Sequence, residues 1–320
     1  GMGVLVFILC LLPLTGGYHM NLMKAESPGP SVSKLVPKVQ STAKILYTIY
    51  IILTIVEIIF LLIGKMPLFD TLCLSFGTAG TGGFGIKNDS IASYSTYNQV
   101  VITVFMILFG INFNAYYLLL TKKVMQAAKN EEVRYYLGII GLAIVAIAIN
   151  TREMFTSFGR AFQQAAFQVG SIITTTGYAT TDFNVWPVFS KTILVILMFV
   201  GACAGSTGGG IKVSRVLILL KSVKKELKQY LHPSAVEKIK MDGKIVEHEV
   251  VRSTNVFMVA YVLIFAVSVL LISLDEYDLV TNFTAVTATF NNIGPGLALV
   301  GPTGNFGFFS NFSKVVLIFD

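Results

Sequence analysis

Three short stretches hold the residues whose types and spacing could do chemistry. They read Ser75-Phe76-Gly77-Thr78-Ala79-Gly80-Thr81-Gly82-Gly83-Phe84, Ser171-Ile172-Ile173-Thr174-Thr175-Thr176-Gly177-Tyr178 and Thr287-Ala288-Thr289-Phe290-Asn291-Asn292-Ile293-Gly294-Pro295. None contains a nucleophile beside a base, so what they can offer is main-chain oxygen. Glycine tolerates φ > 0, which turns successive carbonyls to one side, and a ring of carbonyls can replace the hydration shell of an alkali cation. Because such ligands are backbone atoms, side chains are free to vary. Thr81, Gly82 and Gly83 can therefore be equivalent to Thr175, Thr176 and Gly177, and to Asn292, Ile293 and Gly294. A single glycine after a short helix reads as an ordinary C-cap. Three copies at matching places are an internal repeat, and a repeat sets the fold.

A second unusual run is Gly201-Ala202-Cys203-Ala204-Gly205-Ser206-Thr207-Gly208-Gly209-Gly210. Its G-x-x-x-x-G spacing imitates a phosphate-binding loop, but Ile211 stands where that motif needs lysine, and no strand precedes it. A helix kink would need fewer glycines, so backbone leaving helical geometry at membrane depth is expected. Lys212 and Arg215 follow directly, placed to stabilise the run or to repel cations. Glu57 is the one acidic residue well inside an apolar run. Such residues are functional suspects, although a structural pairing is the stronger expectation here. Asn112 and Asn114 read as interhelical hydrogen-bonding residues.

The elements that must position these residues are membrane spans. Hydrophobic residues make up 54% of the 320-residue chain and charged ones only 13%, against about 25% charged in soluble domains. Apolar runs at 45–63 and 97–120 flank a short helix at 68–78. Runs at 137–149 and 186–200 flank another at 158–173. A span at 256–274 and a run from 311 flank a third at 279–290. Each unit is thus span, short re-entrant helix, glycine turn, span. A bilayer needs about 20 apolar residues to cross, and the middle helices are too short. Their C-terminal dipole ends would face inward, which favours a cation. The run 201–210 interrupts the second exit span before it resumes over 211–230, and residues 232–252 form a hydrophilic insert. Asp242-Gly243 within it signals a small hairpin.

The loops 18–44, 121–135 and 211–252 hold 18 of the 24 basic residues. They are therefore expected on the cytoplasmic side, with the re-entrant helices dipping from outside. The net charge of +7 follows from topology, without nucleic acid. Cys10, Cys73 and Cys203 are packing residues in apolar runs, and three scattered histidines give no metal or haem spacing. Both ends fall inside apolar runs, so the chain is expected to be a fragment of a longer protein, with 1–14 as the remnant of a span. A membrane enzyme would need convergent ionisable groups at depth, which the spans lack. A non-conducting scaffold would not need repeated glycine turns.

These stretches, with Cys203 to Lys212 and the continuation Ala179-Thr180-Thr181-Asp182-Phe183, resemble the TrkH/TrkG/KtrB superfamily of microbial potassium transporters, most closely the TrkH branch. The resemblance covers nearly all 320 residues. It implies an all-α polytopic membrane protein with pseudo-fourfold helix–pore loop–helix repeats around a central pore, three of the four pore loops lying in this chain. In that scheme residues 1–17 end the first repeat, 18–120 hold a cytoplasmic loop and the second repeat, 121–231 the third, and 232–320 a hairpin and the fourth. Thr81, Gly82, Gly83, Thr175, Thr176, Gly177, Asn292, Ile293 and Gly294 would line a potassium filter, with no covalent cofactor. Gly205, Ser206, Thr207, Gly208, Gly209, Gly210 and Lys212 would form a gate. The resemblance also implies a homodimer in the cytoplasmic membrane of a bacterium or archaeon. It further implies a cytoplasmic ring of nucleotide-binding (RCK-type, TrkA-like) regulatory subunits. Sodium-dependent uptake of the KtrB kind is the nearest alternative.

Overall fold

The computed structural model describes residues 39–232 and 238–320, with side chains from residue 44 onward. The expected span at 1–14 and most of the loop 18–44 lie outside the described residues. The helices are α1 (Val39–Ile63), α2 (Leu68–Ala79), α3 (Thr96–Phe109), α4 (Phe113–Leu120), α5 (Val124–Ala128), α6 (Glu131–Asn150) and α7 (Phe158–Ile173). They continue with α8 (Val188–Val200), α9 (Val213–Leu231), α10 (His248–Ile272), α11 (Leu279–Phe290) and α12 (Asn311–Phe319). A two-stranded hairpin, β1 (Lys240–Met241) and β2 (Lys244–Ile245), lies between α9 and α10.

Among the described residues three segments are long and apolar enough to cross a membrane: 44–63, 131–150 and 248–275, with mean hydropathies of 2.6, 1.8 and 2.8. Each opens one unit. The short α2, α7 and α11 follow them at the places the sequence predicts, and α3, α8 and α12 close the units. One row of apolar side chains on α1 (Ile52, Ile55, Ile59) and on α10 (Val256, Val259, Leu263) is exposed. Such a row is available to lipid or to another protein surface. The opposite faces are closely packed. Ile140, Ile144 and Ile147 of α6 meet Ala165, Val169 and Ile172 of α7 and Leu194 and Leu197 of α8. Leu46 and Ile49 of α1 join Leu74 of α2 with Ile102 and Met106 of α3.

The structure corrects the sequence expectation in two places. The single span predicted at 97–120 is broken: α3 and α4 meet at 91°. Gly110 caps α3, and the side chain of Asn112 caps α4 by accepting from Asn114 N at 2.9 Å. The freed backbone groups are taken up by the glycine-rich run 201–210, as described below. The hydrophilic insert is also shorter than predicted, because α10 begins at His248. Its hairpin does form, with Asp242 and Gly243 at φ of 51° and 76°. Two successive positive φ angles are what a two-residue type I′ turn requires.

The short helices begin differently. Ser157 and Asp278 cap α7 and α11 with their side chains, while Pro67 precedes α2 without a side-chain cap. The Asp278 carboxylate accepts from Thr281 N (3.0 Å) and Thr281 Oγ1 (2.6 Å). These bonds hold its pKa below the ordinary carboxylate value. The stabilisation is therefore present above the unfolded pKa of about 3.9 and is lost as pH falls through the folded value. Asp278→Ala is expected to lower stability by about 1 kcal/mol near pH 7, and Asp278→Asn by much less. Thermal unfolding in detergent checks both.

Candidate functional site

Each short helix ends in the same backbone turn. Thr81 N, Thr175 N and Asn292 N donate to the carbonyls three residues back, Thr78, Ile172 and Thr289, at 2.9–3.1 Å. Gly82 N, Thr176 N and Ile293 N donate five residues back, to Gly77, Ser171 and Ala288, at 2.7–2.9 Å. This paired bonding closes a helix through a left-handed residue. Thr81, Thr175 and Asn292 indeed have φ of 52°, 57° and 55°. Two residues later Gly83, Gly177 and Gly294 turn positive again, at 66°, 86° and 108°. The alternation is the same in all three copies, although no side chain is common to them at the first two positions.

Such a turn leaves carbonyls over. No backbone N–H among the described residues donates to the oxygens of Thr81, Gly82, Thr175, Thr176, Asn292 or Ile293. Thr175, Thr176 and Ile293 are buried, and buried carbonyls are nearly always paired, so a partner other than backbone is expected for their oxygens. The loops also lie side by side. A Cβ on Gly83 would fall 1.8 Å from Thr176 O, and one on Gly177 would fall 1.9 Å from Ile293 O. The second unit's turn thus touches the third's, and the third's touches the fourth's. Thr175 and Thr176, in the middle position, are buried. All nine residues predicted for the filter belong to this cluster.

Side chains behind the loops set their spacing. Tyr178 is fully buried and donates its hydroxyl to Leu74 O of α2 at 3.1 Å, while Ser171 Oγ donates to Tyr178 O at 2.6 Å. Thr180 bridges Gln164 Oε1 (2.5 Å) and Gln168 Nε2 (3.3 Å) on α7. Asn184 spans to the fourth unit, accepting from Ala298 N at 2.8 Å and donating to Ala298 O at 3.0 Å. Sequence reading did not single out Asn184, Gln164 or Gln168. An isolated polar residue carries no partner in its own neighbourhood of sequence.

The glycine-rich run lies against the inner end of these turns. Thr81 Oγ1 donates to Thr207 O at 3.0 Å, and Gly209 N donates to Thr175 Oγ1 at 2.6 Å. A Cβ on Gly209 would stand 2.9 Å from Asn291 O. The run therefore touches all three units. Its neck is pinched where a Cβ on Gly210 would come within 2.7 Å of Gly201 Cα, and Gly201, Gly205 and Gly210 have φ of 70°, 68° and 76°. Its flank fills the α3–α4 break: Cys203 N donates to Gly110 O (3.0 Å), Thr207 N to Phe109 O (3.3 Å), and Phe113 N to Gly205 O (3.0 Å). Non-helical backbone at membrane depth is tolerated only where it is buried or lines water, and the broken span supplies its partners. Lys212, itself at φ 81°, donates its Nζ to Gly208 O. Arg215 stacks 4.0 Å over the Phe257 ring and donates to Ile211 O.

Two carboxylates are buried near this assembly. Glu57 on α1 is fully buried, and neither of its oxygens accepts a hydrogen bond among the described residues. Thr78, which faces it from α2, donates its hydroxyl to Leu74 O at 2.8 Å. The Thr78 hydroxyl is thus the polar group that faces Glu57 from the neighbouring helix. Asn112 does act between helices, donating to Glu132 Oε2 at 3.3 Å, whereas Asn114 Oδ1 is without a partner. Glu132, at the start of α6, went unnoticed in the sequence because two glutamates opening a helix are what a helix dipole favours.

Short helices, each closed by the same turn and packed around an interrupted exit span, define a helical membrane protein of the repeated pore-loop class. The chain matches the model of the TrkH family, described as cation transport protein, over residues 1–142 and 135–320. It therefore belongs to the TrkH family of cation transport proteins. It is 35% identical to the Trk system potassium uptake protein TrkH of Salmonella typhimurium, over 99% of this chain and 66% of that protein. With the protein of the same name from Vibrio parahaemolyticus it shares 38% identity, over 99% of this chain and 67% of that one. The fold matches the crystal structure of the potassium transporter TrkH from Vibrio parahaemolyticus with a TM-score of 0.83 at 34% identity, covering 99% of this chain and 66% of that one. The chain thus spans about two thirds of the relatives it matches.

The packing ranks the three glycines. An added Cβ at Gly83 or Gly177 meets a neighbouring backbone oxygen, whereas at Gly294 it meets nothing within 4 Å. Gly83→Ala and Gly177→Ala are expected to destabilise by more than the roughly 1–2 kcal/mol of left-handed strain alone, and Gly294→Ala by about that strain. Thermal unfolding of the three variants side by side reads the order.

Proposed function

We propose that this chain forms most of a potassium pathway, taking up K⁺ across the cytoplasmic membrane of a bacterium or archaeon. The observation that carries the reading is the threefold alternation of left-handed backbone at 81/83, 175/177 and 292/294 in three touching loops. Thr81, Gly82, Gly83, Thr175, Thr176, Gly177, Asn292, Ile293 and Gly294 present main-chain oxygens to a dehydrated cation. A carbonyl dipole has no counter-charge to protonate, so a weakly hydrated monovalent ion exchanges through such a site without covalent chemistry. The short helices α2, α7 and α11 add the negative ends of their dipoles.

The run 205–210, with Lys212, is the gate. It lies across the cytoplasmic mouth of the filter, touching Thr81, Thr175 and Asn291. Movement of the run opens the path without disturbing the turns above it. The relatives' names support potassium as the ion. A homodimer and a cytoplasmic nucleotide-binding ring complete the assembly. Lys221, Lys224, Lys225, Lys238 and Lys240 line one cytoplasmic pocket, which would face an acidic surface of that ring or anionic lipid.

Two outcomes test the reading in the full-length protein reconstituted in liposomes. Gly177→Ala is expected to cut the preference for rubidium over sodium at least tenfold, and an unchanged preference removes the filter assignment. Deletion of 205–210 is expected to raise rubidium flux severalfold, and an unchanged or lower flux from folded protein removes the gate assignment.

A further inference from the structure

The buried Glu132 has a geometry that its place at the start of a span does not explain. It is 4% exposed, and one oxygen, Oε1, accepts from two backbone groups: Ala204 N at 2.6 Å and Ser214 N at 3.1 Å. Those two residues stand on either side of the run 205–210. The second oxygen accepts from Asn112 Nδ2 at 3.3 Å, at the break between α3 and α4. One carboxylate from a third helix therefore ties together both ends of the run and the broken span that cradles it. Helix α9 has no side-chain cap of its own, and Glu132 supplies that function from outside. Charge-assisted bonds to backbone N–H groups are roughly twice as strong as neutral ones, and the burial of Glu132 leaves little water to replace them.

The preceding residue faces the other way. Glu131 N donates to Asp242 Oδ1 at 2.6 Å, and Asn130 Nδ2 donates to Asp242 Oδ2 at 3.3 Å. Lys221 Nζ, two turns along α9, reaches Glu131 Oε1 (2.5 Å) and Lys240 O (2.7 Å). The turn of the exposed hairpin is thus fastened to the N-terminus of α6 at residues 130–131, one position from the carboxylate that holds the run. Asn130 is also the cap of α6, accepting from Val133 N at 3.0 Å.

We infer that Glu132 is the latch that keeps both ends of the run 205–210 closed, and that the hairpin 240–245 is the cytoplasmic handle through which the latch is released. This rests on reading the run as a gate. A partner that draws the hairpin away takes Asp242 from Asn130 and Glu131, loosens the first turn of α6, and moves the Glu132 carboxylate off Ala204 and Ser214. The two N–H groups then lose a common acceptor, and the neck at Gly201 and Gly210 is free to widen. Glu132 acts through the run and touches no ion, so it is a positioning residue.

Cys203 provides a readout separate from flux, because it is fully buried at the neck of the run. In the full-length protein, with every other cysteine replaced by serine, Cys203 is expected to react slowly with a charged methanethiosulfonate reagent added from the cytoplasmic side. Glu132→Gln keeps the size and removes the charge, and should speed labelling at least tenfold and raise rubidium flux. Asp242→Ala should speed labelling about threefold or more. The preference for rubidium over sodium should stay at the wild-type value in both, since the filter turns are untouched. Unchanged labelling in Glu132→Gln overturns the latch, as does a lowered melting temperature with Cys203 still protected. Unchanged labelling in Asp242→Ala overturns the handle. Faster labelling with unchanged flux would support the latch while refuting the gate.

Discussion

The constraint on which this structure depends is that a peptide group in hydrocarbon must be paired, and an unpaired one costs several kcal/mol. Helices α2, α7 and α11 stop at membrane depth, so each must dispose of its last carbonyls without water. The turn at 81, 175 and 292 pairs the N–H groups of two residues with carbonyls inside the helix. It leaves the next oxygens without a backbone donor. On the reading proposed above, a dehydrated cation is what binds them.

Three such turns need to be held at fixed distance, and the chain does this with neighbours rather than with one rigid frame. Gly83 lies against Thr176, and Gly177 against Ile293, at distances that admit no Cβ. Tyr178 reaches from the third unit to Leu74 in the second, and Asn184 from the third to Ala298 in the fourth. The third unit is therefore the keystone. It contributes the most buried loop residues, Thr175 and Thr176, the polar α7 with Gln164 and Gln168, and the interrupted exit helix that carries the run 201–210.

How much of this could be read in the sequence depends on the range of the interaction. Local rules predicted α7 and α11 to the residue, and the hairpin at Asp242-Gly243, because span length, glycine and turn chemistry act within a few positions. The equivalence of Asn292 with Thr81 and Thr175 was also legible, since the turn asks for backbone rather than a side chain. The 91° break between α3 and α4 was not, although Gly110 and Asn112 stand in plain view. A glycine and an asparagine within an apolar run are tolerated in a straight span. What breaks the helix here is the distant run that takes the carbonyls of Phe109 and Gly110. Glu132 was missed for the same reason, its partners lying 72 and 82 residues away.

The run 201–210 is held by many separate bonds of modest strength rather than by one strong contact. Its flank bonds to Phe109, Gly110 and Phe113, its tip to Thr81 and Thr175, and its ends to Glu132. A typical intramolecular hydrogen bond contributes about 1 kcal/mol net, so no single bond fixes the run, and together they define one seated arrangement. Five glycines make the unseated backbone cheap in steric terms, because several positions reach φ > 0 freely. A segment with a well-defined seat and glycines that permit other backbone conformations is suited to the gating role proposed above. A continuous helix through 188–231 would forgo that property, since unwinding it would break its ladder with nothing to receive the freed groups. The break in α3–α4 and the interruption between α8 and α9 are thus complementary: each irregular segment satisfies the backbone that the other exposes.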